Sequence, residues 1–582
     1  MSDKVAELTA VMQDDSSKWV SNLWDKYNQQ RQEKLAQWDE LRNYVFATDT
    51  STTSNGELPW KNSTTIPKLC QIRDNLHANY ESSLFPNDRW LQWVAYSKED
   101  ASRNKARTVK AYIDNKAREG HFRTEASKWL YDYIDYGNAF ATASFESRHR
   151  TLANGDVVPG FIGPKGVRIS PLDIVFNPLA TSFDNTFKII RSVKTIGELK
   201  KLAETEPDQA YWADVIQNRL DIRKVMGGYS KEDFDKAAAF SVDGFGNLYE
   251  YFQSDYVEIL EFYGDYHNPT TGELKTNVMI TVADRSNLVR EADIPSWQGS
   301  APIRHVGWRF RQDNLWAMGP LDNLVGMQYR IDHLENLKAD AMDLTVHPPL
   351  KIIGEVEQFE YGPGSEIHID EQGDVQELLK NLNGIITSSN EIQILEDKME
   401  LMAGAPREAA GIRTPGEKTA LEVQTLSNAA GRIFQSKITN FEVELLEPIL
   451  NDMLEISARS LDGNDLIRVM DDDLGVQEFL SITKEDITAN GKIRPVGARH
   501  FAKQAQDLQN LVGILGGPLG EKVAPHTSGK ALTTFISDVV GLEGYDIFRA
   551  NVAVEEQQET SALLQQAEED VQVQGQITEG IE

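Results

Sequence analysis

The sequence predicts an α+β protein whose mixed body carries a projecting helical hairpin, and three observations predict it. Residues 139–294 contain two groups of segments that alternate apolar and polar with a period of two, separated by turn residues. The segments before and after them repeat apolar residues every three or four positions, as amphipathic helices do. One helical pattern, Thr414 to Ser460, would run roughly 65 to 70 Å at 1.5 Å per residue, too long for one ordinary compact domain to bury.

Composition narrows the class. The 582 residues can hold two to four domains and a large core. Lys and Arg total 59 against 90 Asp and Glu, a formal charge of −31, which excludes a broad basic surface that coats nucleic acid; any such contact is local. A single cysteine, Cys70, excludes an intrachain disulfide framework or a thiolate zinc cluster and is expected to be a buried, inert thiol. The first residues, MSDKVAELTAVMQDD, lack the blocks of a signal peptide, and no apolar run approaches the roughly 18 residues that span a bilayer. Synthesis as a soluble chain in the cytoplasm is the expectation.

Taken in order, residues 16–47 read as one helix carrying Trp19, Trp24 and Trp38 on a charged background. Such an arm either docks on a neighbouring subunit or covers its own domain. A Ser/Thr/Asn/Gly loop at 48–57 leads to a helix at about 67–84 that ends in Phe85-Pro86-Asn87-Asp88, and helices continue over 100–119 and 122–135. From Ala139 the period changes to alternation, with a turn at Asn154-Gly155-Asp156 and strands continuing to about Pro178. Residues 195–240 return to helix. A meander of antiparallel strands follows at 256–294, turning at 269–272.

Gly319-Pro320 opens a second strong helix, striped by Leu321, Leu324, Ile331, Leu334, Leu337, Ala341 and Leu344 and stopped by Pro348-Pro349. A small strand-rich insertion follows, with a Gly-Pro-Gly turn at 362–364 and clean alternation from Glu366 to Asp370. A returning helix is expected at about 388–402, then a small-residue loop, 403–413, with Arg407 and Arg413 at its ends. The long helix starts at a Thr414-x-x-Glu417 capping box with Pro415 in its first turn. Pro448 lies inside its pattern, where it removes a backbone donor and collides with the carbonyl four residues back, so a kink is expected near Glu444 to Pro448; the alternative is two helices meeting there. A strand at 485–497 and helices at about 500–515, 528–540 and 555–570 complete the chain, the last within an acidic, Gln-rich tail, 551–582, that has no Lys or Arg.

Catalytic signatures are absent from the sequence. Gly491-Lys492-Ile493 and Gly529-Lys530-Ala531 lack the remaining residues of a phosphate-binding loop, and neither HExxH nor GxSxG occurs. Asp471-Asp472-Asp473 reads as a solvated turn more readily than as a divalent-metal site, because no further acidic residue follows at loop-ligand spacing. No cofactor, no metal and no enzymatic activity are expected. Arg407, Arg413 and Lys418 are either transient phosphate contacts, which position without specifying sequence, or ordinary solvated charges.

Several segments, in this order, resemble the bacteriophage portal proteins, the head-to-tail connectors of tailed, and here short-tailed, phages: Leu84-Phe85-Pro86, RISPLDIVFNP (168–178), MGPLDNLVGMQYRIDHLENLKADAM (318–342), GSEIHID (364–370), GIRTPGEKTALEV (411–423) and FEVELLEPILNDMLE (441–455). The resemblance extends over roughly residues 60 to 500 and rests on the order of the segments rather than on one motif. It implies the portal fold: an N-terminal helical arm (1–57), a wing (58–317), two stem helices (318–347 and 388–402) flanking a clip (348–387), a tunnel loop (403–418), a long kinked helix returning to the wing (419–503), a helical crown (504–550) and the acidic tail. It also implies a ring of twelve subunits at one capsid vertex, through which double-stranded DNA is packaged by a separate terminase and later ejected. The implied partners are further copies of the chain, the DNA, the terminase large subunit, the major capsid protein and tail adaptor proteins, with no membrane; the implied location is the virion. Arg407, Arg413 and Lys418 would then contact DNA from the tunnel loop, and Glu355, Glu357, Glu360, Glu366 and Asp370 would offer the clip to terminase or adaptors. A capsid-associated adaptor without a channel, and a phosphodiesterase using Asp471 to Asp473, are the alternatives from other classes.

Overall fold

The computed structural model describes residues 15–205, 215–217, 255–353, 374–403, 433–471 and 476–495, less short connections within those spans. The chain divides into two compact units, residues 1–84 with 117–457 and residues 85–116 with 458–582, and each is described by itself. Helices and antiparallel sheets are mixed along the chain, as the α+β expectation requires.

The first unit opens with α1 (Asp15–Gln30) and α2 (Gln32–Phe46), then α3 (Lys68–Leu84). The expected single helix over 16–47 is thus two. The break falls at Arg31, whose buried guanidinium donates to the carbonyls of Pro171 and Ile174 at 2.9 and 2.7 Å and also to that of Leu172. Turning the side chain onto those three carbonyls takes the backbone out of helical geometry there (φ −96°, ψ 3°). Burial, with Arg191 nearby, pushes this guanidinium down to about 9.

Beyond α3 the unit continues with α5 (Phe122–Asp135), which follows α4 (Arg103–Glu119), and then with β2 (Asn138–Thr151) and β3 (Val157–Ile169). These two strands pair antiparallel down to Thr151↔Val157; Gly155 and Asp156 of the expected turn lie outside the described residues. β9 (Ile303–Gly307) adds to the other side of β2, so β3 is an edge strand and tolerates Pro159 and Pro164, which offer no ladder donor. The larger sheet has the order β4 (Ile174–Phe176), β5 (Lys188–Thr195), β6 (Tyr256–His267), β7 (Leu274–Ala283), β8 (Asn287–Asp293), all antiparallel, and contains the expected 256–294 meander. Between β5 and β6, α6 (Ile196–Thr205) begins at a reciprocal capping box, Thr195 with Glu198.

The Trp-rich N-terminal helices form part of this unit's own core. Val20 and Trp24 are buried against Ile189, Leu260, Phe262 and Ile280, and Trp19 meets Phe262 and Tyr266 edge-on at 5.0 Å. Trp38 packs with Tyr136, Phe140 and Trp316. Of the two roles open to the arm, covering its own domain is the one these indoles perform. His305 is stacked on Phe140 at 4.5 Å, and its burial pushes it down to about 3, which favours the neutral ring.

After β9 come β10 (Arg309–Arg311) and β11 (Asn314–Met318), a small hairpin that periodicity did not reveal. At its end the backbone of Gly319 lies so close to Gly137 (φ +68°) that a β-carbon on Gly137 would come within 2.3 Å of it. The next helix, α7, spans Val325–Val346; the expected start at Gly319-Pro320 is instead a turn, tied down by Asp322, which accepts from Gly319 N–H and pairs with Lys34 at 3.0 Å. A two-stranded ribbon, β12 (Leu350–Ile353) with β13 (Asp374–Glu377), separates α7 from α8 (Asn383–Ala403). The final helix, α9, covers 433–460.

The second unit contains β1 (Leu91–Ala95) paired with β16 (Gly491–Pro495), and a hairpin of β14 (Asp465–Asp471) and β15 (Val476–Ile482). The expected strand over 485–497 is shorter at its start, where α10 (Lys484–Ile487) makes one turn of helix. The helices expected beyond residue 500, the acidic tail and most of 206–254 lie outside the described residues. Cys70 is half-buried rather than buried; burial and the neighbouring Asp74 push its thiol up, which keeps it unreactive.

Candidate functional site

The helices α7 and α8 and the root of α9 carry the features that set this chain apart. On α7 the residues Gln328, Asp332, Asn336 and Asp340 follow one another at intervals of four, so they share a face. That face is polar, and it holds the extended segment 61–67 and the first turn of α3 by their backbone. Asp340 accepts from the N–H groups of Lys61 and Asn62 at 3.2 and 3.1 Å. Asn336 accepts from Thr64 N–H and donates to Thr64 C=O, both at 2.8 Å. Asp332 accepts from Ile66 N–H at 3.1 Å, and Gln328 donates to Ile66 C=O at 2.6 Å while accepting from Leu69 N–H at 3.3 Å. The match has a metrical cause: four residues of helix rise about 6.0 Å and two residues of extended chain about 6.6 Å, so side chains spaced by four meet alternate peptides. Periodicity showed the apolar stripe of α7 but not this polar one; four amide or carboxylate side chains at that spacing were the available signal.

Within the ladder Asp332 is completely buried, and its Oδ2 has no hydrogen-bond partner. Burial pushes this carboxyl up to about 6, against the hydrogen bonds from Ile66 and Gln328 that favour its charge.

α8 is apolar on two opposite faces. Ile392, Met399 and Ala403 are buried. At 100° per residue, Ile386, Ile394 and Leu401 fall within about a quarter-turn of one another on the far side and are 63, 52 and 70 % exposed. Leu337, Met342 and Val346 of α7 and Ile352 and Ile353 of β12 are exposed as well. Both helices are acidic: four carboxylates stand against two cations on α7 and four against one on α8. Lys68 ties the end of α8 to α3 through Glu400 at 2.6 Å.

α9 is fixed to the body on both sides of its middle. Tyr133 donates to the Lys437 carbonyl at 3.2 Å, Phe434 stacks on Tyr80 at 4.9 Å, and Arg304 of β9 grips Asp452 with two bonds of 2.7 and 2.8 Å. Between these anchors, Glu442–Leu446 forms a π-helical turn, closed by the Glu447 N–H donating to the Glu442 carbonyl five residues back. Pro448 follows directly and could not have donated to Glu444. The interruption expected near Glu444 to Pro448 is therefore present as one wide turn inside a continuous helix, not as two helices meeting.

Arg407, Arg413 and Lys418, together with the Thr414 capping box, lie outside the described residues, as do Glu355, Glu357, Glu360, Glu366 and Asp370. Asp471 ends β14, Asp472 and Asp473 are outside, and among the described residues no three His, Cys, Asp or Glu side chains cluster as metal ligands. Gly491-Lys492-Ile493 runs within β16, paired to β1, so it is strand rather than phosphate loop. Among the described residues no helix is long and apolar enough to cross a membrane. No protein-family profile matches the chain, and no curated protein sequence matches it.

Proposed function

We propose that the protein is a phage portal: twelve copies form a ring at one capsid vertex, through whose channel a separate terminase packages double-stranded DNA and to whose outer end tail adaptors attach. In this reading α7 and α8 are the stem, β12 and β13 the base of the clip, α9 the long helix behind the tunnel loop, and residues 58–317 the wing. The observation that carries it is the second apolar face of α8. A helix that is apolar on both sides is stable in water only when both sides are covered, and the chain itself covers one. Fully burying Ile386, Ile394 and Leu401 against a neighbour would contribute on the order of 1.5–3 kcal/mol each.

Charge supports the same reading. Twelve copies would carry roughly 370 formal negative charges, so a channel wall of that sign would repel phosphate and let DNA slide. The long helix suits a connection from a channel-facing loop to an outer body.

Electron microscopy and native mass spectrometry of the purified protein test the proposal. Rings of twelve with a central hole of duplex width are expected, and Leu401→Glu with Ile394→Glu should leave folded protein that no longer closes rings. Monomers or solid aggregates at every concentration would overturn it.

A further inference from the structure

In a chain this acidic, two cations converge on one indole. The guanidinium of Arg309 in β10 lies 4.9 Å from the ring centre of Trp308, and the ammonium of Lys437 in α9 lies 4.7 Å from it. The two charges are therefore no more than about 10 Å apart. The indole they share is rigidly held. Trp308 is 2 % exposed, its N–H donates to Gly137 C=O at 2.8 Å and its Nε1–H to the Tyr80 hydroxyl at 3.2 Å. Lys437 is set by its bond to the Trp308 carbonyl and by Tyr133 on its own carbonyl.

Neither cation has a carboxylate partner within ion-pair distance among the described residues. Glu444, further along α9, is the carboxylate whose charge Lys437 feels, and Glu444 is itself pushed up by burial. Lys437 is pushed down, first by burial and then by Arg309. Two like charges held near one another, neither with an ion-pair partner among the described residues, favour an anion within reach of both. Arg309 is exposed and its N–H groups make no hydrogen bond within the described chain, so it can meet that anion with its planar fork, while Lys437 adds a point charge. The indole is buried, so no ring face is left for a base to stack on. What remains suits sequence-independent contact with one or two successive backbone phosphates.

We infer that Arg309 and Lys437 form a phosphate-binding pair for the nucleic-acid backbone, a contact built into the body of the protein rather than into the 403–418 segment. The inference rests on the portal reading for its choice of nucleic acid over an acidic polypeptide, and its test separates the two. Binding of a fluorescent 30-base-pair duplex, a length of roughly three helical turns, is followed by anisotropy across a salt series in the full-length protein, with poly-glutamate as competitor. Arg309→Ala, at an exposed position, and Lys437→Gln should each lower the slope of log Kobs against log salt by about one and weaken binding several-fold at low salt. An unchanged slope in Arg309→Ala, or no duplex binding by the unsubstituted protein, overturns the inference. So does poly-glutamate that binds as tightly as the duplex and loses that binding with Arg309, which would identify an acidic polypeptide as the partner. Microscopy of the same samples keeps the two claims apart: rings with an unchanged slope sink only this contact, and duplex binding through Arg309 without rings sinks only the portal.

Discussion

Asn336→Leu tests whether the α7 ladder holds the 61–69 segment. The side chain is fully buried and makes three hydrogen bonds of 2.8 Å, two of them to Thr64 and one to the Asp332 carbonyl one turn back. Leucine has nearly the same shape and makes none of these. At about 1 kcal/mol net for each lost bond, with Thr64 exposed enough for water to take over its peptide groups, local opening of the segment should become easier by about 2–3 kcal/mol. At 1.4 kcal/mol per factor of ten, hydrogen exchange at the Thr64 amide should accelerate by roughly 30- to 100-fold, while a peptide from β6 and β7 stays unchanged. Mass spectrometry of peptides covering 61–67 reads this directly. Exchange within about threefold of the unsubstituted protein would refute the reasoning, and would assign the order at Thr64 to its other tether, the Asp49–Thr64 bridge with the Thr50 N–H on the Ser63 carbonyl at 3.1 Å.

The carboxyl of Asp332 titrates at about 6 in the folded chain and about 3.9 when unfolded, so the folded state binds the proton more tightly. Its stabilisation is full below pH 4 and lost as pH rises through 6, on the order of 3 kcal/mol; Asp332→Asn should flatten that part of a stability-against-pH curve measured by urea denaturation. Arg304→Met leaves the buried Asp452 carboxylate without its cation and should cost about 3–5 kcal/mol, whereas Arg304→Met with Asp452→Leu should recover much of it. Equal losses in the single and double variants, read from denaturation midpoints, would show that the pair contributes more than its charge compensation.

Much of the fold was legible in the chain because it is written locally. α3, α5 and the 256–294 meander fall within a few residues of the segments their periodicity marks, since capping residues, turn residues and a period of two or 3.6 are properties of neighbouring positions. The irregularity before Pro448 was legible for the same reason, because a missing donor acts on the carbonyl four residues back. β9 to β11 were not legible: β9 has five residues and earns its place by pairing with β2, some 160 residues earlier. The break at Arg31 was hidden too, because its cause is three carbonyls at 171, 172 and 174. Of the candidate site, the buried Ile331 and Leu334 of α7 could be read from their spacing, and the polar ladder beside them could not, because its meaning depends on which peptide lies opposite.

By itself, the sequence determined the α+β class, the acidity, the spans of α3 and α5 and the position of the fault in α9, all consequences of residue type and short-range spacing. Only the tertiary structure decided that the N-terminal indoles serve their own core, that α8 shows an uncovered apolar face, and that Arg309 and Lys437 share one indole. Burial and charge pairing are sums over neighbours in space, and Arg309 and Lys437 are 128 positions apart in the chain.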